Sequence, residues 1–194
     1  MFSVCARADI RPLRESLRKM PKISHVAVTF WTHRGCSRAP VLGYNSGRNR
    51  LKGTPMIREL IHDDAILSTP CEPATAEDAP VIQDVLDTLA SLSDAGCLAA
   101  NQIGVTKAIC AVEGDDGKPF VMLNPKLVFG LGPQRVQESC FTREGVVNVK
   151  RHIKIKVDFD ELVDGELRHR RREYAGFTAQ MIQHMIDHCN GKLV

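Results

Sequence analysis

The stretch Gln183-His184-Met185-Ile186-Asp187-His188 contains the only two histidines of the chain that stand four residues apart. At 3.6 residues per turn this spacing puts both imidazoles on one face of a helix, one turn above the other, where they can share a metal ion. From Phe177 to Cys189 there is no Pro or Gly. Phe177, Met181, Ile182, Ile186 and Cys189 supply apolar faces, so a buried helix is expected here, stopped by Asn190 and Gly191. A His pair on an apolar helix also fits ordinary core or surface histidine, so the metal reading requires a third ligand from elsewhere in the chain.

The pair has the spacing of H-E-x-x-H, in which two histidines bind zinc or a similar ion and the glutamate moves protons. Met185 stands at the glutamate's place. A thioether neither accepts nor donates a proton at neutral pH, so the metal-binding half of the pattern is present without its acid-base half.

With 194 residues and 43% hydrophobic content, the chain can bury one core and does not require a second full domain. No apolar run approaches the ~20 residues of a membrane span, so no membrane is expected among its partners. The seven cysteines, at 5, 36, 71, 97, 110, 140 and 189, are odd in number, irregularly spaced and without a C-x-x-C. That pattern suits reduced thiols or metal ligation better than a secreted disulfide framework.

The formal charge of +3 is unevenly distributed. Residues 1–54 hold eleven Lys and Arg against Asp9 and Glu15, a net +9, which leaves −6 for residues 55–194. In the first 22 residues Arg7, Arg11, Arg14, Arg18 and Lys19 recur every three to four positions between Phe2, Val4, Ile10, Leu13 and Leu17. This basic amphipathic pattern matches an organellar transit peptide, most simply a mitochondrial one; another organelle or the cytoplasm are the alternatives. A basic arm touching RNA or ribosome phosphates is the competing reading. Residues 34–55, rich in Gly, Pro, Ser, Asn and Arg, read as a linker. The expected organisation is a basic targeting and linker segment over 1–54 and one globular domain over 55–194.

Within that domain, Val81, Ile82, Val85, Leu86 and Leu89 recur at helical spacing after Pro80. Cys97 to Gly104 reads as a loop, Ala108–Val112 as a buried strand, and 113–117 as the turn of a hairpin to Phe120–Leu123. Ile153, Ile155, Val157 and Phe159 alternate with charged residues, the signature of a half-buried strand, and Asp164-Gly165 turns the chain back. Arg168, Arg170, Arg171 and Arg172 read as a solvated strand edge, and no specific nucleic-acid site is expected there.

Three segments taken together resemble the peptide deformylase family. Gly96-Cys97-Leu98-Ala99-Ala100-Asn101-Gln102-Ile103-Gly104 is similar to G-x-G-L-A-A-x-Q-I-G. Glu138-Ser139-Cys140-Phe141-Thr142 is similar to E-G-C-L-S, and the Gln183–His188 helix to Q-H-E-x-D-H. The likeness runs from about Ile57 to Val194. It implies an α+β fold of antiparallel or mixed strands around a central metal-binding helix. It implies Cys140, His184 and His188 as ligands of one divalent ion, Fe²⁺ or Zn²⁺ with Ni²⁺ or Co²⁺ as substitutes, leaving a fourth position open for water. It further implies hydrolysis of the N-formyl group of formylmethionine on a peptide or nascent chain, with the ribosome as a further expected partner. Gln102 and the backbone N–H of Phe141 become the oxyanion donors, Arg151 and Asp187 a supporting ion pair, and Gly96, Cys97, Leu98 and Glu138 the substrate pocket. The sequence departs from the family at Ala95, Cys97, Ser139 and Phe141, which narrow the expected pocket, and at Met185, which removes the proton carrier. A catalytically silent homologue that binds metal and a peptide is the alternative that Met185 raises.

Overall fold

A computed structural model describes residues 56–194. The expected basic segment over 1–54, with its targeting and linker readings, lies outside the described residues. The elements run in order: α1 (Asp64–Leu67), α2 (Ala79–Ser91), β1 (Cys97–Ala99), β2 (Ile109–Glu113), β3 (Pro119–Cys140), β4 (Arg143–Val163), β5 (Glu166–Ala175) and α3 (Gly176–Cys189). All five strands form one antiparallel sheet in chain order, and this is the α+β arrangement expected. Among the described residues no helix is long and apolar enough to cross a membrane.

Local sequence explains the elements. Pro80 opens α2, where its missing N–H costs nothing, and Ile82, Val85 and Leu89 bury one helical face. The two-residue connection Asp164-Gly165 has φ of 54° and 82°. Positive φ at both central residues is what a tight hairpin needs if its twist is to match the strands, and it places Val163 opposite Glu166. Gly191, at φ 68°, ends α3 in the left-handed conformation, and a Cβ there would sit 2.5 Å from the Ser68 carbonyl oxygen.

Strand alternation sorts the core into two clusters. Cys97, Ala99, Cys110, Val112, Ile155, Val157 and Phe159 face Ala179, Ile182, Met185 and Ile186 of α3. Leu98, Ile109, Ala111 and Leu123 join Ile82, Val85 and Leu89 of α2. The short strands β1 and β2 are therefore covered on both faces. Helix α3 packs against all five strands and buries ten residues, polar Gln183, His184 and His188 among them.

Two expectations are corrected. The loop expected over 97–104 is strand β1 followed by a 3₁₀ turn at Ala100–Ile103, because Cys97, Leu98 and Ala99 pair with Val112, Ala111 and Cys110. The strand expected at 120–123 is only the start of the 22-residue β3. Beyond Leu123 it leaves β2 and forms a long ribbon with β4 whose middle exposes Leu127, Val128, Phe129 and Leu131, so no clean alternation marks it. The arginines of β5 lie on an edge strand as expected, and three of the four are paired with acids of β4. Arg171 pairs with Asp158, and Arg170 and Arg172 with Glu161.

Candidate metal centre

Two elements bring the ligands together. Helix α3 carries His184 and His188 on its buried face, and the β3–β4 hairpin delivers Cys140 at its tip, where only Phe141 and Thr142 separate the strands. The register shifts between Glu138 and Cys140, an irregularity of the kind that re-aims a side chain at the end of a ladder.

Cys140 Sγ lies 3.3 Å from His188 Nε2, which lies 3.3 Å from His184 Nε2, and the three donor atoms all fall within 4.8 Å of one another. All three residues are buried. Metal–nitrogen and metal–sulfur bonds of ~2.0–2.3 Å in a tetrahedron separate ligands by roughly 3.3–3.6 Å, so the closest two edges of this triangle have the right length. The tautomers agree as well. His184 Nδ1 sits 3.0 Å from Glu138 Oε2, so this nitrogen carries the hydrogen and Nε2 turns a lone pair toward His188. Burial depresses the His188 imidazole below its ordinary range and keeps it neutral, as a ligand must be; the Cys140 thiol opposes the shift only in part. Two imidazole nitrogens and a sulfur converging on one point out of water are reconciled by a cation, and the donor set fits one divalent ion.

Behind the ligands lies a buried charge network. Arg151 donates from Nε to Glu138 Oε1 at 2.8 Å, from a terminal nitrogen to Oε2 at 2.7 Å, and from the other to Asp187 Oδ2 at 2.6 Å. Gln180 adds a donor to Glu138. Burial opposes charge on Glu138, but Arg151 and then His184 overcome it and hold the carboxyl at about 2. Glu138 is thus a permanent anion with every oxygen occupied.

Gln102 is fully buried and oriented at both ends. Its Oε1 accepts from the Ala99 N–H at 2.9 Å, and its Nε2 points at Cys140 Sγ and Thr142 Oγ1, each 3.3 Å away. Phe141 occupies the hairpin tip next to Cys140 and packs against both clusters. Met185 is wholly buried in the cluster that also holds Cys97, Ala99 and Cys140.

The comparisons decide the family. The family model described as polypeptide deformylase matches residues 57–194. The chain belongs to the polypeptide deformylase family. A peptide deformylase from Clostridium beijerinckii is 36% identical over 141 residues, 72% of this chain and 100% of the relative. Peptide deformylase 2 of Vibrio cholerae is 35% identical over 116 residues, 58% of this chain and 67% of the relative. Among solved structures, a deformylase from Legionella pneumophila aligns with TM-score 0.61 at 29% identity, covering 71% of this chain and 83% of that one. One from Thermus thermophilus aligns with TM-score 0.63 at 26% identity, covering 71% and 84%. Deformylases are metal-dependent hydrolases of linear amides, and the Cys140, His184 and His188 cluster is the family's single metal site.

The residues expected for the substrate pocket are all buried. Gly96, Cys97 and Leu98 are buried in or beside β1, with Cys97 in the α3 cluster and Leu98 in the α2 cluster, because both faces of β1 are covered. Glu138 is fully buried and committed to Arg151, His184 and Gln180, so its carboxylate lines no open pocket. Arg151 and Asp187 do form the expected ion pair, and Arg151 also grips Glu138. Three contributors were not anticipated: the Thr142 hydroxyl, 3.1 Å from Cys140 Sγ; His62, whose ring meets the Thr142 carbonyl at 3.2 Å; and Asn101, which donates to the His188 carbonyl at 2.9 Å. A Thr two residues after the candidate cysteine, and an Asn beside Gln102, were the available signals.

Proposed function

We propose that this deformylase acts on the N-formyl group of formylmethionine at the start of newly made organellar proteins, and that Met185 leaves its turnover low. The carrying observation is the buried Cys140, His184 and His188 triangle with the Gln102 amide aimed at its edge. When bound, Fe²⁺ or Zn²⁺ supplies an electrophile and an activated water near neutral pH. The chain's own residues divide the remaining work. The Gln102 amide, fixed by the Ala99 N–H, and the Phe141 N–H at the hairpin tip are the donors assigned to the oxyanion of the tetrahedral species. Glu138 and Arg151 hold the His184 ring in its Nδ1–H form from behind.

Among the described residues, neither Met185 nor Glu138 can take a proton from the attacking water and return it to the leaving amine. Met185 has no such chemistry, and Glu138 is held ionised with both oxygens engaged. General acid-base help of this kind is typically worth ~10²–10⁴ in rate. The basic charge of residues 1–54 supports a mitochondrial address, with the domain over 55–194 as the catalytic part. A metal- and peptide-binding homologue without turnover is the second reading, favoured by the same buried thioether.

The test is release of formate from a formyl-Met-Ala-Ser peptide by anaerobically purified protein loaded with Fe²⁺ or Zn²⁺. Slow, metal-dependent formate release supports the proposal. Turnover equal to that of an enzyme with glutamate at this position refutes the impairment. Tight hydroxamate binding with no formate at all favours the silent homologue.

A further inference from the structure

The two histidines of the centre are supported unequally. His184 Nδ1 faces Glu138 Oε2 at 3.0 Å, whereas His188 Nδ1 is buried with no hydrogen-bond partner among the described residues. With His188 Nε2 turned toward Cys140 and His184, a neutral ring carries its hydrogen on Nδ1, and a buried donor of that kind calls for an acceptor. One other side-chain atom in the same neighbourhood is in the complementary condition. Asn101 is fully buried, and its Nδ2 donates to the carbonyl of His188 itself at 2.9 Å, while its Oδ1 is buried without a partner. An orphan acceptor is therefore anchored to the residue that carries the orphan donor.

We infer that Asn101 is a positioning residue for His188, its Oδ1 accepting from one buried water that in turn accepts from His188 Nδ1–H. The Asn101 amide then does for His188 what Glu138 does for His184: it fixes the tautomer and the ring plane, with a neutral dipole in place of a charge. Two contacts are needed at once, the direct one to the His188 carbonyl and the bridged one to its ring, and an amide supplies both a donor and an acceptor. The water has the polar company that buried waters keep, which is what distinguishes such a bridge from an apolar void. The inference rests on the metal reading of Cys140, His184 and His188.

The experiment uses the full chain and Co²⁺ as the probe. Competition with a chelator, followed by the cobalt absorption bands, gives the affinity of the wild type, Asn101→Leu and Asn101→Asp. In parallel, nitrogen-15 spectra of the zinc-loaded wild type report the His188 Nδ1–H proton. The expected results are a hydrogen-bonded, slowly exchanging Nδ1–H in the wild type and an affinity loss of about 10–100-fold in Asn101→Leu. Asn101→Asp, which keeps the acceptor but loses the donor to the His188 carbonyl, loses less affinity than Asn101→Leu. A folded Asn101→Leu variant that binds Co²⁺ within about threefold of the wild type overturns the inference. So does a rapidly exchanging, unbonded His188 Nδ1–H in the wild type, a measurement that stands even if the Leu variant does not fold. Wild-type protein with no Co²⁺ bands at all refutes the metal reading beneath it, a distinct result.

Discussion

Restoring the carboxylate at position 185 tests the catalytic argument and the packing argument together. Met185 is wholly buried in the apolar cluster that also holds Cys140, and it follows the ligand His184 in the chain, so Met185→Glu places a carboxyl in apolar surroundings next to a residue of the metal centre. Losing the buried thioether forfeits about 1.5–3 kcal/mol of transfer free energy. An under-satisfied carboxyl in its place costs about 1–3 kcal/mol more. The metal-free variant should therefore be destabilised by roughly 3–5 kcal/mol. At about 2–4 °C per kcal/mol for a domain of this size, that lowers Tm by roughly 6–20 °C. A bound cation favours the charged form of the new group, so the metal-loaded variant recovers much of this loss. In exchange kcat should rise by about 10²–10⁴, equivalent to about 2.7–5.5 kcal/mol of barrier. Hydroxamate affinity should change little, because proton transfer acts in the transition state. The assays are formate release from formyl-Met-Ala-Ser and thermal melts with metal and with chelator. If the variant is folded, binds one metal ion and binds hydroxamate like the parent, yet its kcat stays within about threefold, the reasoning about residue 185 is wrong.

Arg151→Met should cost about 3–5 kcal/mol, since Glu138 would keep its charge in a buried site without its bidentate partner; urea unfolding measures it, and a loss under about 1 kcal/mol would contradict the network. In the Met185→Glu background, Gln102→Leu should lower kcat by about 10²–10³ with metal stoichiometry unchanged, and loss of the metal instead would assign Gln102 to holding the centre. Chelation should lower Tm, because an ion present at about 1,000 times its Kd contributes about 4 kcal/mol; a melt indifferent to chelator would show that the three ligands hold no metal. Burial, and then the neighbouring Cys189, push the Cys71 thiol up to about 12. Its thiolate fraction at pH 8 is then about a thousandfold lower than for a thiol with the ordinary value of 9.0, so alkylation of native Cys71 should be correspondingly slow and rise tenfold per pH unit up to about 12. Fast labelling of Cys71 by mass spectrometry at pH 8 would refute that.

What could be read from the sequence was what is local in the chain. The i, i+4 spacing placed His184 and His188 on one buried face, and the helix runs over Gly176–Cys189 as its composition suggested. The alternation of Ile155, Val157 and Phe159 marked the part of β4 that packs with α3, although Ile153, expected on the same face, is exposed, and Asp164-Gly165 marked the turn. The long ribbon was hidden because the middle of β3 is solvated on more than one side, and exposure erases the period-2 pattern. The partners of Glu138 were hidden for a different reason, because only the β3–β4 register brings it within reach of Arg151, thirteen residues on. The bond from Asn101 to the His188 carbonyl spans 87 residues, a separation that no local pattern reports, and Thr142 stood in the quoted Glu138–Thr142 segment without a role for its hydroxyl.

The same helix explains how the family's proton carrier could be exchanged for methionine without disturbing the ligands. Consecutive residues on a helix are turned about 100° from one another, so position 185 does not share a direction with 184 or 188. In α3, which packs against all five strands, side chains in different directions have different destinations. Gln183 bonds the His152 N–H and carbonyl where β5 no longer covers β4; His184 and His188 meet Cys140; Asp187 meets Arg151; Met185 enters the apolar cluster. A carboxylate at 185 would sit in an otherwise apolar cluster, a setting that disfavours its charge unless a cation is near. An unbranched thioether fills the same volume with no polar group to satisfy. Active-site groups are commonly kept at a cost to stability, and here replacement by methionine relieves that cost at the one position of the motif whose side chain binds neither metal nor network. The ligands and the charge network behind them therefore place no constraint on residue 185, the apolar cluster favours methionine there, and only selection for proton transfer could hold a glutamate.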